Sequence, residues 1–426
     1  MKQDTMISLK RLFSITFGIT ILARAMTWHV SKGVIPYTEI YVLFIATWTL
    51  LAIRERKVQI PLRSNGTKVI VLLTLYYIIW GVSNLGDIDF NDTIAVMFRS
   101  LLMMAFVIVS CYWMRKLDCM LSAIKAAYIS LTILLWILFI AYFNQINLIR
   151  TISSFWISEE WLRTRTRFGF NNNIAAEYAM SVILMSLYIL AEDKKREKRS
   201  GIKHLLMWLN NLIMVIIIIA NNSRGTALAL MMMIVVFLLI KSARRYGVRK
   251  LIHTAVACVC VVVLLLVLGI IQGRIDVNKL LENTNRSHFL NNIEVLRSSG
   301  RWLMGIGNIS GEYFSKHHVL YGIQLDYMEM AYVGFFVTSG IVGCLWLVYI
   351  VYLLIKSIVK YIEIEDEVLG KWILLIFAYM MFLSLFEGYI FSYTYITSSV
   401  FLCFVIAFIN SSYMKSKYNV VKGKGR

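Results

Sequence analysis

Residues 121–143, LSAIKAAYISLTILLWILFIAYF, carry one charged side chain, Lys125, in an otherwise almost wholly apolar run. At a rise of about 1.5 Å per residue, a helix of that length crosses a hydrocarbon core of roughly 30 Å. Moving outward in both directions, comparable runs occur near 12–30, 37–53, 69–83, 94–113, 174–191, 205–221, 226–240, 251–272, 328–355, 372–390 and 393–411. The pattern predicts an all-α polytopic membrane protein of about twelve transmembrane helices, residues 1–426 forming a single integral membrane domain. The seventh and eighth runs are short and separated only by Asn222, Ser223, Arg224 and Gly225, which also suits a hairpin that does not cross fully.

Composition agrees. The chain is 59% hydrophobic and only 16% charged, with a mean hydropathy of +0.69, which a water-soluble domain could not cover with polar surface. Only two prolines occur, while Trp, Tyr and Phe are plentiful, as expected of long helices with aromatic ends at the membrane interfaces. Six cysteines fall in apolar runs or beside cytoplasmic loops; Cys258 and Cys260, two apart, lack metal-site spacing. The N-terminal apolar run has no small-residue cleavage signature and reads as the first span.

A formal net charge of +20 would suit nucleic acid if the basic residues formed one face, but they are dispersed among apolar runs. Topology explains them instead. With both termini cytoplasmic, the cytoplasmic segments hold thirty Lys and Arg and the outer segments twelve, while Arg24 and Arg99 lie within spans. The outer twelve comprise three Lys and nine Arg. A topogenic charge is served by either residue, whereas a planar fork that grips phosphate or carboxylate must be Arg, so the outer arginines are candidates for an anionic ligand. Pairing with outer Asp and Glu is the plainer alternative.

Two outer loops, 144–173 and 273–327, exceed what topology requires, and long loops tend to carry function. In the second, Leu290, Ile293 and Leu296 keep helical spacing, which predicts one or two short helices over the outer surface. Five ionisable groups, Arg24, Glu39, Arg99, Glu177 and Glu387, fall in the outer half of their spans, where a partner or a water-filled cavity must hold them. For Glu39, Arg99 and Glu177 an interfacial position is the competing reading. Arginines outside and charges at one depth below suggest a cavity for a ligand both anionic and lipid-attached, such as a lipid-linked diphosphate.

Three segments then resemble the O-antigen polymerase and O-antigen ligase superfamily, bacterial membrane glycosyltransferases that use undecaprenyl-diphosphate-linked sugars. The first is RTRFGFNNNIAAEYA, residues 165–179, similar to a family pattern of Arg, Gly-Phe, Asn-Pro-Asn and Ala before a span, with Asn172 in place of the Pro. The second is NNSRGTALAL, residues 221–230, similar to the family's Ser-Arg-Gly at the start of a span. The third runs from Arg286 through MGIGNISGEYF to EMAYVGFFVTSGIVG, residues 329–343, where Tyr332, Gly340 and Gly343 fit the re-entry of the large outer loop. Glu329 stands where many relatives, ligases above all, have His, which tilts the resemblance toward a polymerase.

The resemblance implies a GT-C-like membrane fold with a large outer loop between the ninth and tenth spans, and metal-independent glycosyl transfer without a cofactor. It implies a polymerase joining lipid-linked oligosaccharide repeats into a capsular, exopolysaccharide or O-antigen chain on the outer face of the bacterial cytoplasmic membrane. Its expected partners are the undecaprenyl-diphosphate-linked repeat, membrane lipids, a chain-length regulator and a flippase. Such chemistry needs cations for the diphosphate leaving group, a base for the incoming hydroxyl and a groove holding both substrates in line. Arg224 and Arg286 are the first candidates for the diphosphate, with Arg167 and Arg301 next. The helix start after Gly225 would add its positive dipole end at Arg224, although a snorkelling interfacial arginine fits the same position.

Glu329 is the candidate base by its family position, with His317 and His318 as alternatives. Asp326 either orients the acceptor or caps the tenth span. Arg24 and Tyr332 complete the candidate substrate-binding set. Ligase activity is the nearest alternative. A flippase or transporter is the more distant one, disfavoured by the late, long outer loop and the lack of two related halves.

Overall fold

The computed structural model describes residues 3–27, 37–55, 60–83, 90–154, 166, 168, 172–196, 201–223, 225–237, 289–307, 319–320, 323–324, 331–362, 367–392 and 395–423. The first half comprises α1 (Gln3–Met26), α2 (Tyr37–Arg54), α3 (Asn65–Val82), α4 (Phe90–Lys116), α5 (Met120–Ala141), a short α6 (Leu148–Ser154), α7 (Asn172–Lys195) and α8 (Gly201–Ala220). Then follow α9 (Gly225–Phe237), α10 (Phe289–Ser298), a two-residue antiparallel hairpin of β1 (Val319–Leu320) and β2 (Ile323–Gln324), α11 (Ala331–Tyr361), α12 (Glu367–Leu383) and α13 (Ile396–Gly423).

Among the described residues, eight helices are long and apolar enough to cross a membrane: α1, α3, α4, α5, α7, α8, α11 and α13. The protein is therefore a helical polytopic membrane protein. Of the twelve expected spans these eight meet that standard, while α9 and the apolar part of α12 (Val368–Leu383) are shorter apolar helices. The ninth expected run, 251–272, lies outside the described residues. The seventh run forms α8, which at 20 residues is long and apolar enough to cross a membrane, whereas the eighth forms the shorter α9. The 144–173 loop also carries a 3-10 turn (Phe143–Gln145) and α6, neither anticipated from sequence.

Two helices form the centre of the bundle. In α13, 89% of the spanning window is buried and in α7 83%, against 33–50% for the other six. Large apolar side chains such as Leu43, Leu50, Ile140, Leu345 and Val348 stay exposed around the outside, as lipid-facing surface does. Inside, Phe13 and Phe17 of α1, Phe44 and Trp48 of α2, and Phe106 and Trp113 of α4 interlock, with Phe17 and Phe106 stacked at 5.6 Å and Trp48 edge-on to Trp113 at 5.0 Å.

Indole N–H groups tie the helices across the bundle, since in lipid an unpaired donor is costly. Trp113 donates to the Trp48 carbonyl at 2.9 Å, Trp346 to that of Leu72 at 3.1 Å, and Trp372 to that of Leu184 at 2.7 Å. Where α1 and α5 approach, Gly18 leaves room for Ser130, whose hydroxyl donates to the Gly18 carbonyl at 2.8 Å.

One end of the bundle gathers charge. Lys10 donates to the Asp118 carbonyl at 2.7 Å, Lys116 pairs with Glu55, and a cavity of about 740 Å³ between them is lined by Arg115 and Lys415 as well. Cys119, in the turn between α4 and α5, is buried beside this cluster, and burial pushes its thiol up to about 12. At pH 8 only about one thiol in ten thousand is then thiolate. Cys119 is accordingly expected to resist maleimide in the folded protein and to react on unfolding; mass spectrometry of the labelled peptide after a short pulse would reveal the difference.

Candidate functional site

At the opposite end, α11 is broken. Gly340 takes φ 62° and ψ −163° inside the helix, a conformation open to glycine alone. The break frees backbone groups, and in a membrane those must be satisfied by protein. The turn at 302–307 does so: Ile306 and Gly307 N–H donate to the Val337 and Thr338 carbonyls at 3.0 and 2.8 Å, and Ile341 and Val342 N–H donate to the Trp302 and Leu303 carbonyls at 3.0 and 3.1 Å. Trp80 of α3 fixes the turn by donating to the Met304 carbonyl at 2.8 Å. Leu296 and Val295 of α10 pack with Ile306 and Val337 beneath it, so the expected short helix in the large loop is present and its Leu296 faces inward.

The last residues of α12 and the turn after it, residues 381–387, are where the three sequence motifs meet. From the first motif, Asn173 donates through Nδ2 to Glu387 Oε1 at 2.8 Å, and Thr166 N–H donates to the Ala220 carbonyl at 2.8 Å, just before the second motif. In the second motif, Asn222 at φ 52° turns the chain out of α8, a left-handed geometry that asparagine tolerates. The Ser223 carbonyl then accepts from Ala227 N–H at 2.9 Å as α9 begins. A Cβ on Gly225 would stand 3.0 Å from the Phe386 Cβ, so its lack of a side chain permits the contact. From the third motif, Ala331 N–H donates to the carbonyls of Ser384 and Glu387 at 3.2 and 3.3 Å, and the Tyr332 hydroxyl donates to the Met381 carbonyl at 2.7 Å.

The hub is itself braced. Ser384, fully buried, donates to the Met380 carbonyl at 2.6 Å and accepts from Ile390 N–H at 2.9 Å, closing the turn that presents Glu387. Glu387 is partly exposed, and its Oε2 accepts weakly from the Tyr395 hydroxyl at 3.5 Å. Glu177, one turn beyond Asn173 on α7, is fully buried and lies within electrostatic reach of Glu387.

Of the residues singled out from sequence, Arg24 is half-buried at the end of α1, donates to Thr27 Oγ1 at 2.8 Å and acts electrostatically on Tyr178, the neighbour of Glu177. Arg301 stands at the start of the 302–307 turn, where its carbonyl accepts from Gly305 N–H at 2.7 Å. Tyr332 spends its hydroxyl on backbone, which makes it a positioning residue. Arg224, Arg286, Glu329, Arg167, His317, His318 and Asp326 lie outside the described residues. Of the five ionisable groups, Glu39 and Arg99 are exposed on the bundle surface, whereas Arg24 and Glu387 are partly and Glu177 fully buried. Sequence reading missed Asn173 and Ser384; the Asn-rich 171–173 run was the one available signal, since Asn in a helix start is a donor looking for a partner.

Arg99→Gln and Glu39→Gln are expected to change stability by less than about 0.5 kcal/mol. Asn173→Leu removes a donor to a charged group and should cost about 1.5–3 kcal/mol. Unfolding in a denaturing detergent would rank the three. Among the described residues, no group of three or more His, Cys, Asp or Glu is gathered as a metal site.

The fold and this end of the bundle thus define the class, a polytopic helical membrane protein with a buried carboxyl site under a broken helix. No family model matches the chain and no curated protein matches it.

Proposed function

We propose that the chain is a membrane glycosyltransferase, a polymerase that joins oligosaccharide repeats carried on undecaprenyl diphosphate, on the outer face of a bacterial cytoplasmic membrane, without a metal. The observation that carries this reading is the convergence of the three motif segments on residues 381–387, although they are far apart in sequence. Shared packing of separate motifs around one carboxylate is what a reaction centre requires and what plain membrane threading does not.

In this reading the chain crosses the membrane twelve times in a GT-C-like arrangement with both termini cytoplasmic. Arg224 and Arg286 neutralise the diphosphate as it leaves, Arg167 and Arg301 extend that field, and Glu329 takes the proton of the attacking hydroxyl. The break in α11 supports a second reading, a flippase for the same lipid-linked glycan, because broken helices are common at transporter sites.

The two part on products. Purified protein in nanodiscs with lipid-diphosphate-linked repeats and EDTA should yield a gel ladder spaced by one repeat. Unchanged substrate from folded protein, together with movement of a fluorescent lipid-diphosphate across proteoliposomes, would replace the polymerase by the flippase.

A further inference from the structure

Glu177 sits inside the bundle with neither carboxyl oxygen bonded to any partner among the described residues. A bare carboxylate so placed is far costlier than the neutral acid, and an ionisable group at such a site marks a functional path. Around it the side chains offer hydroxyl oxygen. Ser181 on α7, Tyr379 on α12 and Tyr389 beyond it each bury a hydroxyl without a hydrogen-bond partner among the described residues. Ser181 lies close to both tyrosine hydroxyls, though without hydrogen-bond geometry.

Glu387 is the complement. It reaches the accessible rim, and its two oxygens accept from Asn173 and Tyr395. Asn173 and Glu177 are four residues apart on α7 and so share a face, which brings the two carboxyls to the same side of the helix. Among the described residues, Arg24 of α1 is a charged group acting on this region, through Tyr178 and Tyr41 of α2. Lys125, Lys203 and His204, of α5 and α8, act on Asp193 at the far end of α7.

We propose that Glu177 and Glu387 are a proton-transfer couple, Glu177 holding a proton inside the bundle and Glu387 exchanging it at the rim with ligand or water. In the transfer between them one carboxyl O–H bond breaks, one forms on the partner carboxylate, no electrons change hands and one negative charge stays on the couple; at the rim the Glu387 O–H breaks as a bond to the proton forms on ligand or water, and a proton taken up from the same side restores the single charge. The inference rests on the two carboxyls and holds for a transferase or a transporter alike.

Infrared spectra of the full chain in nanodiscs between about pH 5 and about pH 9 test it, because the protonated and ionised forms of a carboxyl absorb at different frequencies. At neutral pH the wild type should show the carbonyl stretch of a protonated carboxyl in a dry site. Glu177→Gln should abolish that band, and Glu387→Gln should move the pH range over which it titrates. No such band in the wild type, its survival in folded Glu177→Gln, or identical titration in wild type and Glu387→Gln would each overturn the couple. If Glu177→Gln does not fold, the wild type and Glu387→Gln decide the question between them.

Discussion

Replacing Gly340 by Ala should destabilise the protein by about 3 kcal/mol or more, because two independent costs combine there. The first is backbone strain: φ 62° with ψ −163° is a region from which a Cβ is excluded. The second is contact. A Cβ on Gly340 would stand 2.5 Å from the Leu303 carbonyl oxygen and 2.6 Å from Gly305 N, both backbone atoms that cannot swing aside. Gly305 mirrors it, with φ +70° and a Cβ that would meet Thr338 C at 2.4 Å, so Gly305→Ala should cost a similar amount.

Gly300 separates the two terms. Its φ is +66°, yet no described residue lies within 4 Å of the added carbon, so Gly300→Ala should cost only the left-handed strain of about 1–2 kcal/mol. Detergent unfolding of the three variants reads the difference. If Gly340→Ala and Gly300→Ala unfold alike, the 302–307 turn is not docked in the break of α11.

The same break illustrates what could be read in advance. Apolar run length alone placed α1, α3, α4, α5, α7, α8, α11 and α13, because in lipid every backbone group must be satisfied within a helix and the run must cover the hydrocarbon. Gly340 and Gly343 stood out only as spacing. That Gly340 interrupts α11 depends on Leu303 and Gly305, more than thirty residues earlier, and no local pattern encodes such a docking. The carboxyl site divides similarly. Glu177 and Glu387 were legible as charges that lipid should forbid, whereas Glu39 and Arg99, chemically alike, proved exposed. Run length cannot say which way a helix turns its polar residue. That is decided by which helices become central, here α7 and α13. Asn173, Ser384 and Tyr389 matter only through tertiary partners and gave almost no signal of their own.

On the proposed polymerase reading, Arg224→Ala should slow repeat addition by about 100- to 1,000-fold, the usual consequence of removing one preorganised group that stabilises developing negative charge. The neighbours of Arg224 explain why the position suits that role. Asn222 and Ser223 before it are buried, and Ser223 Oγ donates to Thr226 Oγ1 at 2.9 Å as α9 starts. Gly225 after it packs on Phe386, next to Glu387. Gly225 is thereby held against the residue next to Glu387, at the positive end of α9. Arg224→Lys keeps the charge but loses the bidentate fork, so it should recover only part of the rate. Initial rates of ladder formation at saturating lipid-linked repeat, with detergent unfolding of each variant as a folding control, give the comparison. A folded Arg224→Ala protein that elongates at the wild-type rate would remove this arginine from the donor site, leaving Arg286 or Arg301 to meet the diphosphate.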